Sequence, residues 1–479
     1  MKEILKVFGY TLQTAFFSTL VAAIIGIVAA YYTSHKKFAG RKLLLSLSAV
    51  PLCVPPLIVA LGYVSFFGMN GIVNSLFHSS FTFLYSTAGL IIAQGFYNFP
   101  LVTGIVNDAW EQLPKENENA ARLLGAGEKR VFFTITLRQL SGAIGAACIP
   151  VFLFCFFSFM IVLLFSPVGK STLEVEIYHS IRTTLQVGPA VKLAVLETVT
   201  AVLFVILYGW VSKKSQIYGS DILFTGRKKT GIKKGPELFV FIILAAFILV
   251  FFMGPAFSIV ISSFTKKQGG AKVFSFSNMQ SLFASKKFIQ AFINSIYVGL
   301  ITGALCCVVA FLYAVLVRIF KKQGKLIFSI IPFIPMAISS VVLSWIASLI
   351  FHESSVALLI FVQLLLYWPI AYRQIQNGIN QILPETENAA RILSKNKFDM
   401  LLRLYLPSCK RVLISAFFYC FAVSIGDASL PLVLSIKNFS TLALYTYNLA
   451  RNYKFNTACA CGLILTLICI LTNRFRKSR

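Results

Sequence analysis

Eleven stretches of about 18 or more predominantly apolar residues recur along the chain, near 8–32, 43–67, 84–106, 141–166, 192–211, 237–263, 290–317, 326–350, 355–372, 411–434 and 456–473. A helix of that length crosses the hydrocarbon core of a bilayer with every backbone polar group satisfied internally. The chain is 57% hydrophobic over 479 residues and has a mean hydropathy of +0.80, more apolar surface than a soluble core can bury. The expectation is an all-α integral membrane protein with the lipid bilayer as its solvent. The first stretch is too long for a signal-peptide core and is followed by further spans, so it is expected to be retained.

The net charge of +28 raises nucleic acid as a partner, and the distribution of the charge answers the point. Successive spans alternate sides, and Lys and Arg favour the cytoplasmic side. Placing the C-terminus and the loops after spans 1, 3, 5, 7 and 9 inside collects 31 of the 44 Lys and Arg there. That bias accounts for the charge with no nucleic acid, and it leaves the tail Met1 to Lys6 outside. The ten cysteines form no Cys-x-x-Cys pair and nearly all fall within expected spans, where cysteine acts as a small apolar residue. His35, His78, His179 and His352 lack metal-ligand spacing. No cofactor or metal is expected on this chain, and no catalytic constellation stands out.

The stretch ENENAARLLGAG at Glu116 returns as ETENAARILSKN at Glu385. Asn119 and Asn388 are 269 residues apart, and the same offset joins Gln94 to Gln363, Pro100 to Pro369, Ser171 to Ser440 and Tyr178 to Tyr447. An offset held so long marks a duplication. Pro51 and Pro332 are 281 apart, which gives the first copy the longer outer loop. Each copy holds five spans, and the extra span at 237–263 restores the orientation between them. The repeats are therefore expected to be parallel, not inverted. The basic linker with Lys213, Lys214, Arg227, Lys228, Lys229, Lys233 and Lys234 is expected on the cytoplasmic side, as are both charged segments. The expected domains are 1–212, a linker with extra span and outer loop at 213–289, and 290–479.

The charged segment reads as a helix. Pro114 suits a first turn, and Glu116 and Glu118 complement the positive end of the helix dipole. Glu118 and Arg122 are four apart in the favourable order, as are Glu387 and Arg391. Ala120, Ala121 and Leu124 share a face whose small side chains admit another surface, and Gly125 can end the helix. The second copy has Ser394 at the glycine position. A further amphipathic piece, Lys129 to Leu140, leads into the fourth span. Two such helices on one side of a membrane suit a two-fold symmetric partner.

With Ala-Ala-x-x-x-Gly followed by a spaced Ile-x-Leu-Pro, the loop resembles the signature loop of permease subunits of bacterial ABC importers. The first copy matches with Ala120, Ala121, Gly125, Ile135 and Leu137, the second with Ala389, Ala390, Leu406 and Pro407. Asn119 and Asn388 replace the family's leading glutamate, Ser394 its second glycine, and Arg138 its first proline. The resemblance implies a type I importer fold, as in the methionine importer, of two fused five-helix repeats and about eleven transmembrane helices. It implies a bacterial cytoplasmic (inner) membrane location and coupling helices docked on a separate ATPase homodimer. ATP would bind on that partner, and a periplasmic or lipid-anchored solute-binding protein would deliver solute outside. The coupling residues are then Glu118, Asn119, Ala120, Ala121, Arg122 and Gly125, with Glu387, Asn388, Ala389, Ala390, Arg391 and Ser394. VPPLIVALGYVSFFGMNGIV, AQGFYNFPLVTGIV and STLEVEIYHSI look most like thiamine permeases, whose solute is thiamine or its phosphates. Such permeases often carry one further amino-terminal span. IGDASLP is closer to ferric iron permeases, the alternative solute. A secondary transporter driven by an ion gradient is the alternative of another class.

PVGKST at Pro167 lacks the earlier glycine of a phosphate-binding loop, because Leu164 stands there. Carboxylates within a membrane are costly and often line polar paths. Asp427 and Glu197 are accordingly candidates for the translocation path. Glu174, with Glu176, is either a further candidate facing a cationic ligand or the binding protein, or part of a solvated loop.

Overall fold

The computed structural model describes residues 2–47, 54–217, 229–232, 235–268, 271–319 and 331–477. In chain order the helices that matter are α1 (Lys2–His35), α2 (Pro56–Phe67), α3 (Thr87–Gln112), α4 (Lys115–Leu123), α5 (Glu128–Phe156), α6 (Leu173–Arg182), α7 (Val187–Ile217) and α8 (Pro236–Ser263). They continue as α9 (Lys286–Ile319), α10 (Ser340–Phe351), α11 (Val356–Asn380), α12 (Pro384–Leu393), α13 (Lys397–Gly426), α14 (Leu442–Arg451) and α15 (Phe455–Lys477).

Ten segments among the described residues are long and apolar enough to span a membrane, one of them counting α2 together with the short helix Ile72–Leu76 that follows it. The eleventh expectation, at 326–350, is met only by the shorter α10, and 326–330 lie outside the described residues. Proline explains the shortening. Pro332 and Pro335 hold Ile331–Ala337 in a 3-10 turn, since neither can donate to a helical ladder. Ser339 then starts α10 by accepting from the Val342 amide at 3.1 Å. The expected fourth and tenth spans begin earlier than their apolar runs. In α5 and α13 the amphipathic lead-in is continuous with the span through a π-helical turn, Phe132–Thr136 in one and Leu401–Tyr405 in the other.

The helices carry the duplication more sharply than the letters do. Helices α1 and α9 both have 34 residues and start 284 apart, and the 12-residue α2 and α10 keep that offset. From α3 and α11 to α6 and α14 the helix starts keep an offset of 269, and the two π turns obey it residue for residue. Pro51, used to place the hairpin from sequence, lies outside the described residues. The helices set the offset there at 284 instead of 281. Several prolines crowd both hairpins, so proline spacing alone misplaced the pairing. The longer hairpin of the first copy stands, because the difference of 15 between the offsets falls between Phe67 and Thr87.

By packing, the chain forms two compact units. Met1–Leu52, Val59–Ser180 and Gln186–Ser258 make the first; Cys53–Ile58, Ile181–Leu185 and Ile259–Arg479 make the second. In the first unit α1 and α3 approach closely at glycines. A Cβ at Gly26 would lie 2.6 Å from Val102 Cβ, and one at Gly95 2.7 Å from Val21 Cγ1. Beside this crossing Ser18 donates to Gln94 Oε1 at 2.9 Å. In the second unit Thr302 donates to Gln363 Oε1 at 3.0 Å, and Ser424 adds a bond of 2.6 Å. A second pair also repeats. Thr11 on α1 accepts from the Leu173 amide at 2.9 Å, and Ser295 on α9 from the Leu442 amide at 2.6 Å. Each satisfies an amide at the start of the short helix that follows.

The extra helix α8 belongs with the first unit up to Ser258. Tyr32 donates to the Glu237 carbonyl at 2.7 Å, Lys36 pairs with Glu237, and Ala29, Tyr32 and Leu244 share a core. Tyr63 reaches the carbonyl of Phe251 at 2.5 Å, inside the π turn Leu249–Met253, where the helical ladder is irregular. Phe239, Ile242, Ile243 and Phe247 of α8 stay exposed, as lipid-facing side chains would. Of the basic linker, Lys229 joins Arg41 on the Glu111 carboxylate, at 2.8 and 2.9 Å. Arg227, Lys228, Lys233 and Lys234 lie outside the described residues.

Candidate docking helices

Helices α4 and α12 are the two charged segments, and each is short, acidic at its start and basic at its end. Pro384 occupies the first turn of α12, whereas Pro114 sits one residue before α4. The two helices end differently. Gly125 adopts φ +83°, and the Ala126 amide reaches back to the Ala121 carbonyl at 3.0 Å, the bond that closes a left-handed helix end. Ser394 leaves α12 in extended conformation instead, at φ −86° and ψ 136°.

One face of each helix is open. Asn119, Ala120, Asn388 and Ala389 are exposed, while Ala121 and Ala390 are partly so. Beside them stand Leu123 and Leu124, both 89% exposed, and Ile392 and Leu393, at 85% and 84%. Two adjacent large aliphatic side chains left bare at equivalent places form a candidate contact surface.

The opposite face is tied down by a carboxylate. Glu118 and Glu387 are 8% and 5% exposed. Thr136 donates to Glu118 Oε1 at 3.1 Å, and Tyr405 donates to Glu387 Oε1 at 3.0 Å. Both donors are the last residue of a π turn. Arg318, at the end of α9, adds Nε to Glu387 Oε2 at 3.0 Å and Nη2 at 2.9 Å. Arg391 completes the expected pair with Glu387 at 3.1 Å. Burial alone would raise the Glu387 pKa, but the Tyr405 hydroxyl and the Arg318 and Arg391 guanidinium groups outweigh it and leave it lowered.

The matching pair in the first copy is looser than its spacing promised. Arg122 lies 3.9 Å from Glu118 and instead grips Glu128 with two bonds, of 2.8 and 3.1 Å, while also donating to Asn119 at 3.1 Å. The geometry of a two-pronged guanidinium favours the carboxylate it can meet side-on. That partner sits beyond the helix end, so a helical spacing rule could not find it.

Of the candidate path residues Glu174 and Glu197 are buried, and Asp427 is half-buried. Glu174 lies in α6 and is fully buried, which excludes the solvated loop; Glu197 is fully buried in α7. Glu176 accepts from Ser171 at 2.5 Å. Asp427, at the end of α13, accepts from the Tyr367 hydroxyl at 2.9 Å, the Ser429 amide at 2.8 Å and the Ser429 hydroxyl at 2.5 Å. Glu174 and Glu197 lie in the first unit and Asp427 in the second. Sequence reasoning missed Thr136, Tyr405 and Arg318, although the first two share the 18-residue spacing to Glu118 and Glu387.

Comparison with known proteins bears on the same segments. The family model described as a binding-protein-dependent transport system inner membrane component matches residues 22–216 and 307–478, most of the chain and once in each copy. The thiamine transport system permease protein of Escherichia coli (strain K12) is 24% identical over 96% of this chain and 86% of its own length. That of Brucella abortus (strain 2308) is 25% identical over 97% of this chain and 86% of its own. A sulfate transport system permease protein of Synechocystis sp. is 32% identical over 41% of this chain and 74% of its own. A match in both copies leaves no place for the secondary-transporter alternative. The chain therefore belongs to the binding-protein-dependent inner membrane transport family, as an ABC importer permease with two permease segments in one multi-pass polypeptide.

Proposed function

We propose that this chain is the membrane-crossing subunit of an importer for thiamine or its phosphates. The observation that carries the coupling half of the reading is the pair of bare aliphatic surfaces, Leu123-Leu124 and Ile392-Leu393, at equivalent ends of α4 and α12. They suit two equivalent grooves on an ATPase homodimer, which would hold the ATP. Asn119, Ala120, Ala121, Asn388, Ala389 and Ala390 would lie in the contact, with Arg122 and Arg391 at its rim. An external solute-binding protein would deliver the solute. The permease domains are 1–212 and 290–479, joined by 213–289. ATP binding draws the ATPase subunits together and biases a two-state membrane unit between its inward-open and outward-open forms.

The thiamine assignment is supported by relatives of that name that align along nearly the whole chain. Glu174, Glu197 and Asp427 are the candidate carboxylates for a cationic solute's path. The test is ATP-dependent uptake in proteoliposomes holding this chain, its cognate ATPase and its binding protein, loaded with labelled thiamine or with ferric iron. Uptake of thiamine alone supports the reading; uptake of iron alone keeps the permease and overturns the solute. Docking is tested separately: Ala121→Trp with Ala390→Trp should abolish ATPase association while insertion into the membrane persists. Normal association of that double variant would overturn docking at these helices.

A further inference from the structure

Each candidate docking helix carries a buried carboxylate on its inner face, and in both copies a hydroxyl from the following π turn bonds to it. We propose that Glu118 and Glu387 are the positioning residues through which movement of α4 and α12 reaches the spans α5 and α13. The proposal rests on the docking reading and deepens it.

Neither helix is joined rigidly to the span that follows. A turn at Leu124–Gly127 separates α4 from α5, and Ser394–Asn396 separates α12 from α13. Displacement of a helix held only by such loops would be absorbed in loop torsions. The side-chain bonds remove that slack. Thr136 is buried and meets Glu118; Tyr405 is fully buried and meets Glu387. The donor closes a π-helical turn each time, and both turns lie at the start of the span, 269 residues apart. A π turn widens the backbone locally and is enriched at functional places. Here it sets the hydroxyl beneath the helix that precedes the span. The second copy adds the end of α9 through Arg318, so that α12 is tied to two spans.

A surface ion pair would give neither the burial nor the recurrence. Glu118 and Glu387 face away from the bare aliphatic pairs, so they do not compete with the partner for contact. Their role is to hold the docking helix at a fixed place on the span.

The test uses the full chain with its cognate ATPase and binding protein in proteoliposomes. It measures ATPase association, ATP hydrolysis and solute uptake side by side. Thr136→Val with Tyr405→Phe should leave association within about twofold of the unaltered chain. Uptake per ATP hydrolysed should fall about tenfold, the size expected when a hydroxyl-to-carboxylate bond is lost. Glu118→Gln with Glu387→Gln keeps an acceptor oxygen and should transport better than the corresponding Ala variants. Tyr405→Phe alone preserves the ring packing and guards against loss of fold; it should lower uptake per ATP in the same direction. Unchanged uptake per ATP in the double hydroxyl variant would overturn the proposal. So would loss of association in proportion to loss of uptake, which marks a purely structural role. Failure of docking itself would appear elsewhere, as normal ATPase association of the Ala121 and Ala390 variants.

Discussion

Ser18 donates to Gln94 and Thr302 donates to Gln363, at 2.9 and 3.0 Å, so one buried amide joins the first helix of each copy to the proline-bearing helix that leads to the docking segment. The second copy strengthens the joint with Ser424. A buried hydroxyl whose acceptor is removed loses a bond and gains no water.

Gln363→Leu should therefore destabilise the protein more than Gln94→Leu, by roughly 1–3 kcal/mol against roughly 1 kcal/mol. Thermal unfolding of both variants in the same lipid or detergent measures the order. A reversed order would show that hydroxyl count does not set the strength of the joint.

The pH dependence of the Glu387 cluster has a definite sign. Its pKa is lowered in the folded protein. The stabilisation is therefore present above the unfolded value of about 4.3 and is lost as pH falls through the folded one. The stability difference between the unaltered chain and Glu387→Gln should be constant near neutral pH and shrink in acid. Unfolding midpoints of the two proteins across an acid-to-neutral series would reveal it, and a difference growing in acid would contradict the assignment.

The bare aliphatic pairs give a third expectation. Leu123→Ser with Leu124→Ser, or Ile392→Ser with Leu393→Ser, should weaken ATPase association about tenfold or more, as loss of central interface residues does. Stability should change little, because these side chains are 84–89% exposed. Titration of the ATPase onto the reconstituted permease reads the effect.

Gly125 supplies a fourth. At φ +83° an alanine pays about 1 kcal/mol of backbone strain, and no neighbouring atom lies within 4 Å to add a clash. Gly125→Ala should loosen the end of α4, seen as faster amide exchange at Leu124–Ala126. Ser394→Ala should leave α12 unchanged, because its backbone is already extended.

Much of this was legible in the letters, and the parts that were not have a common cause. The spans, the duplication and the two charged helices follow from apolar runs and a constant offset, which are local or self-referential signals. The partner of Glu118 is neither. A helical wheel places Glu118 and Arg122 on one side, yet it cannot say that a π turn will bring Thr136 beneath the helix. Nor can it say that Glu128 will draw Arg122 away. The same limit applied at Pro332 and Pro335, where an apolar run long enough to cross the membrane gave a 3-10 turn and a short helix. Hydropathy counts carbon and is blind to the missing amide hydrogen.

The hairpin between Phe67 and Thr87 records how the two copies have diverged. Every length change between α1 and α6 and their counterparts has settled in that one place, at the end of α3 remote from the docking helix. There Asn74 ties the extra residues into a self-contained knot, through bonds of 3.0 Å to the Gly68 and Phe81 carbonyls. An epitope or fluorophore intended to follow this transporter at work belongs in the hairpin, and nowhere between α3 and α6, where the two copies keep one register.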